Sequence, residues 1–145
     1  DGLSLFDHWR DDYKTLHGMT SRGFPNQFFM GFIQGGVSAN TTAMFEQQAR
    51  HIAYIISEAQ RRGATTVEPS QQGQESWVAT VRELSIDTSA FELSCTPGYY
   101  NNEGRGSAVR NGGFLGDFYA PGFYAFDDLI ADWRAAGDLA GLEIR

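Results

Sequence analysis

The sequence predicts an α/β fold in which one strand, one glycine-rich turn and one long helix are followed by an irregular α+β tail. Residues 27–32 form a short, nearly continuous apolar run, which is typical of a strand buried on both faces. Glycines and a Ser/Asn/Thr cluster follow this run, and apolar residues then recur at helical spacing. The tail has weaker patterns, so we divide the chain into residues 1–64 and 65–145.

The composition is that of one ordered domain, with 145 residues, 41% of them hydrophobic and 14% aromatic. A net charge of −7 supplies no basic patch for nucleic acid or an anionic membrane. The single cysteine, Cys95, excludes an internal disulfide and a cysteine-rich metal site. No apolar stretch approaches the roughly 18 residues of a membrane span, and no signal peptide is visible. We therefore expect a soluble, cytoplasmic protein.

The helix after the glycine turn has the clearest pattern in the chain. Ser38, Asn40 and Thr41 are each capable of capping its N-terminus, and Gly63 is a good stop signal. The apolar positions that predict its buried stripe are Phe45, Ala49, Ile52, Ile56 and Ala59.

The tail begins with a β-like segment at residues 65–69 that ends at a proline. A second helix is predicted around Trp77, Val78, Val81 and Leu84. Residues 95–113 indicate a long loop or an irregular hairpin, and a loop of this length is usually functional or packed against something else. A last helix carries Phe126, Leu129, Ile130 and Trp133 on one stripe and ends at Gly137.

A single buried strand cannot complete a parallel sheet. Parallel neighbours arrive through βαβ units of about 30 residues or more, and the sequence contains only one strand–turn–helix unit. The remaining strands are therefore expected to come from elsewhere. The chain also begins at Asp1 without a methionine, so we interpret it as the tail of a larger protein.

The turn suggests a ligand-facing helix N-terminus. Unpaired N–H groups and the positive end of the helix dipole favour an electron-rich oxygen or an anion. Gly31, Gly35 and Gly36 would let the backbone approach a ligand without a Cβ in the way. Neither G-x-G-x-x-G nor G-x-x-x-x-G-K-[ST] is present. A tight connection whose glycines serve only backbone geometry is therefore an equally open interpretation of the pattern.

Other chemistry-bearing residues do not form a site by spacing. His8, His17 and His51 lack the spacing of metal ligands, and His51 is expected at a surface or interface because it lies beside Arg50 in mid-helix. Cys95 has no nearby base in sequence and is expected to be a small buried hydrophobic residue. We predict no catalytic residue and no metal site in this chain.

Two motifs in the first half resemble a known family. "GFPNQFFMGF" at residues 23–32 is similar to a G-F-P-N-L-F strand that leads to a glycine, and "NTTAMFEQQARHIAYI" at residues 40–55 is similar to an N-x-x-x-x-x-E-Q helix. Both occur in the C-terminal part of the FAD domain of Baeyer–Villiger monooxygenases and their flavin-containing relatives. The resemblance implies a FAD-binding Rossmann-like domain, the cofactors FAD and NADPH, and oxygen insertion beside a ketone.

The resemblance also implies roles for residues of the turn. The matching segment, Gly31–Thr42, runs past the flavin ring, with Gly31, Asn40 and Thr41 at the cofactor. The residues implied to border the substrate pocket are Gly35, Gly36, Val37 and Ser38. Cys95–Gly104 matches a mobile loop that closes over NADPH. Cyclohexanone-oxidising members carry a tryptophan where this chain has Gly98, which departs from that role.

Several parts of such an enzyme are absent from this sequence, including both dinucleotide fingerprints, the F-x-G-x-x-x-H signature and the essential arginine. We therefore expect the isolated chain to be inactive and to bind neither cofactor tightly. Its expected partners are the upstream FAD/NADPH domains of the same enzyme and a small ketone, with homo-oligomer formation left open. Two alternatives stand beside this interpretation: an N- or S-oxidising relative, and a non-enzymatic interaction module derived from such a flavoprotein.

Overall fold

The computed structural model describes residues 2–104 and 117–145. Its helices are α1 (Leu5–His8), α2 (Thr41–Arg61), α3 (Gln71–Leu84), α4 (Ser89–Ser94) and α5 (Phe123–Ala136). Strands β1 (Val67–Pro69) and β2 (Leu142–Ile144) form a two-stranded antiparallel sheet, and a 3₁₀ turn covers Tyr99–Gly104. The mixed helix–sheet class is thereby confirmed in its coarse form.

Helix α2 begins and ends where the local signals predict. The side chain of Asn40 accepts a hydrogen bond from the Ala43 N–H at 3.1 Å, which makes it the N-cap. Gly63 has a φ of +71°, the left-handed conformation that commonly follows a helix end.

The buried face of α2, however, differs from the predicted stripe. Phe45 and Ile56 are 37% and 40% exposed, and Ala49 is exposed as well, so the prediction that these three residues face the core is wrong. The buried positions are Met44, Gln47, Gln48, His51, Ile55 and Ala59. The face is rotated because buried polar side chains find hydrogen-bond partners inside the fold, and a count of apolar residues does not register such bonds.

The two later helices match their predictions. Helix α3 starts after Ser70, whose hydroxyl oxygen accepts the Gly73 N–H at 3.0 Å. Helix α5 ends at Gly137, which has a φ of +72°. Phe126 and Ile130 of α5 are completely buried, as the stripe predicted. Apolar spacing was sufficient to predict both helices, and Gly137 marked the end of α5, although Leu84 at the end of α3 is exposed.

The strand predicted at residues 27–32 is not a strand in this structure. Residues 27–30 have no regular secondary structure, and a turn follows them. Their contacts include a hydrogen bond from the Phe29 N–H to the Met19 carbonyl (3.0 Å) and one from the Thr20 hydroxyl to the Gln27 carbonyl (3.1 Å). A strand needs a continuous ladder with a neighbour, and residues 2–104 and 117–145 provide none here. The Rossmann-like arrangement stays a prediction.

The main core draws on both sides of residue 64. Trp77 of α3 packs with Tyr119 at a ring-centroid distance of 5.7 Å, nearly parallel, and its indole N–H donates to the Gln34 carbonyl at 3.0 Å. The buried residues of this core are Leu16, Met19, Trp77, Val81, Tyr119, Phe126 and Ile130. The glycine turn is therefore held by the tail of the chain.

The region predicted as a long loop or irregular hairpin is compact in its first part. Asn101 organises the 3₁₀ turn, because its Oδ1 accepts the N–H groups of Gly98 (2.8 Å) and Gly104 (3.2 Å). Cys95 is half-buried at the end of α4, so the prediction that it is fully buried is wrong. Residues 105–113 lie outside the described ranges. None of the helices in those ranges has the length and apolarity that crossing a membrane requires.

Candidate functional site

The turn before α2 has two parts with different environments. We call residues 34–36 the packed half, because they are buried. We call Gly31 together with residues 40–42 the open half, because Gly31 is half-buried and residues 40–42 are exposed. Val37 and Ser38, half-buried, connect the two.

Gln34 is the centre of the packed half. It is fully buried, and its Oε1 accepts hydrogen bonds from the N–H (3.0 Å) and the hydroxyl (2.6 Å) of Thr15. Its Nε2 donates to the Tyr13 carbonyl (3.0 Å) and to Asp117 Oδ2 (2.9 Å). Burial raises the pKa of the Asp117 carboxyl, although the bond from Gln34 opposes that shift. Gln34 thus has its side-chain groups satisfied internally and acts as a scaffold.

Packing requires glycine at one of the two glycine positions of the packed half, position 36, more clearly than at the other. The Gly35 carbonyl accepts the Tyr119 N–H at 3.0 Å. A Cβ at Gly36 would lie 2.5 Å from the Cβ of Phe126, which is closer than folded proteins tolerate. Glycine at position 36 is therefore required by the approach of α5. A substrate-pocket role for Gly35 and Gly36 stays a prediction.

Gly31 in the open half has the opposite surroundings. A Cβ placed on it would meet no atom of the described chain within 4 Å, and its φ is outside the left-handed region. Its N–H donates to Gln48 Oε1 at 3.0 Å, and its carbonyl accepts from Gln48 Nε2 at 2.7 Å. A side chain of α2 therefore fixes the Gly31 peptide while leaving its Cα face uncovered.

The N-terminus of α2 completes the open half. Asn40 uses its side-chain oxygen as the cap, and its own N–H donates to the Ser38 hydroxyl oxygen at 3.1 Å. The N–H groups of Thr41 and Thr42 have no partner within residues 2–104 and 117–145. The first turn of α2 carries no acidic residue. Two exposed donors at the positive end of a helix dipole suit an electron-rich oxygen.

Sequence reasoning missed a buried histidine pair. His17 Nδ1 lies 3.2 Å from His51 Nε2, and Arg134 Nη1 lies 3.4 Å from His51 Nδ1. Because a guanidinium can only donate, His51 Nδ1 accepts, and His51 Nε2–H donates to His17. His51 is 0% exposed, so its expected surface position is wrong. The spacing of Met44, Gln48, His51 and Ile55 is also helical, but two of these residues are polar, so the spacing did not favour this face over the apolar stripe.

Burial determines the charge of both histidines. It lowers the pKa of His17 to about 4. It also lowers the pKa of His51 to about 3, with smaller contributions from His17 and Arg134. Both rings are therefore neutral at pH 7. Among residues 2–104 and 117–145, no group of three or more His, Cys, Asp or Glu residues is placed to hold a metal ion.

A groove elsewhere on the surface has a volume of about 450 Å³. Its walls come from the segment before the turn, the second half of α2 and the start of the tail. The lining residues are Asn26, Phe28, Ile56, Ala59, Gln60, Ala64, Thr65 and Val67. None of them belongs to residues 31–42, so this groove and the predicted site are distinct.

No family model matches this chain. Comparison with curated proteins gives 41% identity over all 145 residues to pentalenolactone D synthase of Streptomyces exfoliatus. The chain is also 40% identical over 134 residues to a Baeyer–Villiger monooxygenase of Streptomyces coelicolor, and 36% identical over 152 aligned positions to a FAD-binding monooxygenase of Penicillium brasilianum. The chain belongs to the Baeyer–Villiger-type flavin monooxygenases. The resemblance carried by the two motifs is thereby confirmed.

This monooxygenase segment covers only part of its relatives. The matches include 100%, 92% and 99% of the chain but 24%, 21% and 24% of the three proteins, so the chain spans about a quarter of their length. The polycyclic ketone monooxygenase of Thermothelomyces thermophila has a similar structure, with a TM-score of 0.77, 28% identity, and coverage of 92% of this chain and 21% of that one.

The same fold occurs in cyclohexanone monooxygenase of Rhodococcus sp. Phi1 bound to NADP⁺. The TM-score is 0.74 at 22% identity, and the match covers 99% of this chain and 25% of that one. At this identity the likeness shows the fold of the segment and no more.

Proposed function

We propose that this chain is the C-terminal region of a Baeyer–Villiger monooxygenase and forms one wall of its FAD site. The intact enzyme would use NADPH and O₂ to insert one oxygen atom beside the carbonyl of a ketone. The observation that carries the proposal is the 40% identity to a Baeyer–Villiger monooxygenase, which extends over 92% of the chain.

The open half of the turn fits a flavin ring. The pyrimidine edge of a flavin carries carbonyl oxygens that gain negative charge on reduction, and the free N–H groups of Thr41 and Thr42 are suitable donors to them. A helix N-terminus stabilises such charge by roughly 0.3–1 kcal/mol, and by up to about 2 kcal/mol when partly buried. Bound FAD would supply the redox chemistry that activates oxygen. The uncovered face of Gly31 leaves room for a planar group.

Each residue of the turn then has a defined task. Asn40 holds the end of α2 in place through its bond to Ala43, so its side-chain oxygen serves the helix. Val37 and Ser38 are only half-buried and are the residues of this loop best placed to meet a substrate. Gly35 and Gly36 would contribute through the course of their backbone, since both are covered by the tail.

The other walls of the site would come from further domains of the same enzyme. The sequence lacks the glycine fingerprints that hold the pyrophosphates of FAD and NADPH. The isolated chain is therefore expected to be colourless and inactive. Domains supplying those loops are the partners that the proposal requires.

The first test is purification of the intact protein that carries this sequence. We expect a yellow protein that releases FAD, oxidises NADPH and converts a ketone to an ester or lactone heavier by one oxygen atom. The isolated chain should gain bound FAD only when the rest of the enzyme is co-expressed. A colourless intact protein would contradict the proposal, and oxidation of amines or sulfides without ketone turnover would favour the N- or S-oxidising relatives.

The role of the helix N-terminus has its own test in a pair of variants. Thr41→Pro removes one free N–H at the first helical position, where proline is well tolerated, and Thr41→Ala keeps that N–H. If the N–H stabilises the reduced flavin, the proline variant should have the more negative flavin reduction potential of the two. Equal potentials would remove Thr41 from the proposed site.

A further inference from the structure

Gln48 is a fully buried polar residue of α2 whose side chain contacts Gly31. We propose that Gln48 is a positioning residue that holds the Gly31 peptide beside the proposed cofactor site. Gly31 would then offer the flavin its bare Cα face while its N–H stays committed to Gln48. This inference rests on the proposed function and specifies how the open half of the turn is kept in place.

The side-chain amide of Gln48 bridges the two backbone polar groups of Gly31, which belong to successive peptide units. Gln48 Oε1 accepts the Gly31 N–H at 3.0 Å, and Gln48 Nε2 donates to the Gly31 carbonyl at 2.7 Å. Gln48 is 0% exposed, so water does not compete for these bonds. A primary amide carries both a donor and an acceptor, whereas a carboxylate only accepts and a thioether does neither to a useful degree. Glutamine is therefore chemically specific for this contact.

The two hydrogen bonds from Gln48 determine which groups of Gly31 remain available to a ligand. Its N–H is used by Gln48 and is not available to a ligand carbonyl oxygen. The described part of the fold does not require glycine at this position, because a Cβ would meet none of its atoms within 4 Å and the φ lies outside the left-handed region. Open space beside a fixed, side-chain-free backbone is suited to van der Waals contact with a flat ring.

We call the two hydrogen bonds between Gln48 and Gly31 the clamp. The position of Gln48 on α2 explains why this clamp matters for the site. Gln48 lies about two turns after Thr41 and Thr42 on the same helix. A helix is stiff over that length, so the two bonds fix Gly31 relative to the free N–H groups at the helix start. The neighbouring Gln47 is also buried, at 5% exposure, but its Nε2 donates to the Phe123 carbonyl at 3.4 Å. It therefore serves as a matched control.

The test uses three variants of the intact protein that carries this sequence. Gln48→Met keeps the length of the side chain and removes both bonds, Gln48→Glu keeps only the acceptor, and Gln47→Met removes a buried glutamine that does not touch Gly31. The first readout is hydrogen exchange of the Gly31 amide. We expect exchange to be roughly tenfold faster or more in Gln48→Met, less affected in Gln48→Glu, and unchanged in Gln47→Met.

The second readout is the flavin itself. Gln48→Met should weaken FAD binding by roughly tenfold and displace the visible absorption bands, because the wall beside the ring is no longer held. Gln47→Met should leave the absorption bands unchanged. Unaltered Gly31 exchange in Gln48→Met would overturn the clamp. Faster exchange with unchanged FAD affinity and spectrum would overturn the positioning role.

The failure of this inference can be told apart from the failure of the proposed function. An unsubstituted protein that holds no flavin would overturn the proposed function, and the positioning role with it. The exchange measurement still reports the Gln48–Gly31 clamp in that case, since it needs no cofactor.

Discussion

The packed half and the open half of the turn both contain glycine, but only the packed half requires it for steric reasons. Gly36 is required because a Cβ would lie 2.5 Å from Phe126, whereas a Cβ at Gly31 would meet no atom of residues 2–104 and 117–145 within 4 Å. The polar groups differ in the same sense, since Gln34 is saturated by internal bonds while Thr41 and Thr42 keep exposed donors. One half of the turn is thus scaffold and the other is available to a ligand.

The largest expected effect is a loss of stability in acid, which would act on the packed half. The His17 carbonyl lies 3.9 Å from the position that a Gly35 Cβ would take, so the histidine pair lies close to this half. The folded-state pKa values of His17 and His51, about 4 and about 3, are below the ordinary 6.5. Between those values and pH 6.5 the unfolded chain binds more protons than the folded chain, so stability falls as the pH falls from 6.5.

If both histidines contribute fully, the unfolding free energy should fall by at most about 2.7 kcal/mol per pH unit, the slope for uptake of two protons. The measurement is the free energy of unfolding in urea between pH 7 and pH 4.5. A His51→Gln variant should show about half that slope. A free energy that does not change with pH over this range would show that the histidines are not held neutral.

The next effect in size is the loss of Gln34. Gln34→Leu leaves buried groups of Thr15, Tyr13 and Asp117 without partners, and we expect a cost of about 3 kcal/mol or more in unfolding free energy. Gln47→Leu is the matched variant, because Gln47 makes one long bond and should cost less than about 1 kcal/mol. Equal losses from the two glutamines would contradict the role of Gln34 as the scaffold of the packed half.

Gly36→Ala tests the packing of the same half directly. The added methyl group collides with Phe126, so we expect a destabilisation of about 1–3 kcal/mol by urea denaturation. A second change, Phe126→Ala, removes the ring carbons that would lie 2.9 and 3.0 Å from the new methyl group but keeps the Cβ. Gly36→Ala should therefore cost less in the Phe126→Ala background than in the unsubstituted protein. Additive losses in the double variant would show that the two residues do not share this contact.

A smaller effect is expected at the start of α2. Asn40→Ala removes the cap and should cost about 1 kcal/mol in unfolding free energy, and Asn40→Asp should retain most of it because the acceptor oxygen remains. In the flavin-bound protein, Asn40→Ala should also weaken FAD binding, since the donors of Thr41 and Thr42 depend on an ordered first turn. Unaltered stability in Asn40→Ala would argue against the cap.

The smallest effect on stability is expected at Gly31. Gly31→Ala should change the unfolding free energy by less than about 0.5 kcal/mol, because no atom in the described part of the chain lies within 4 Å of the new methyl group. The same variant should reduce the FAD content of the purified protein, since the methyl group would occupy the face offered to the ring. Together with Gly36→Ala it gives the sharpest contrast between the halves. A Gly31→Ala protein with full FAD content would place the cofactor elsewhere.

The elements that could be predicted from sequence are those with signals within a few residues. The capping cluster that contains Asn40, the left-handed glycines at 63 and 137 and the apolar spacing of α3 and α5 depend on local hydrogen bonds and side-chain positions. The family could also be predicted, because each of the two motifs, residues 23–32 and residues 40–55, is a continuous stretch of sequence. The residues that the motifs imply to lie at the cofactor and the substrate stay predictions.

Only the tertiary structure decided which face of α2 is buried and which glycine is structural. His51 lies inside because His17 and Arg134, which are 34 and 83 residues away in sequence, converge on it. Glycine is required at position 36 because Phe126 of α5 packs against it. Gln48 can hold Gly31 because the fold brings these two residues, 17 positions apart in sequence, into hydrogen-bond contact. The sequence by itself determined where α2 and α5 end and narrowed the start of α2 to three residues, since those bonds close within one turn. Contacts between distant segments depend on how the whole chain packs, and no local pattern encodes them.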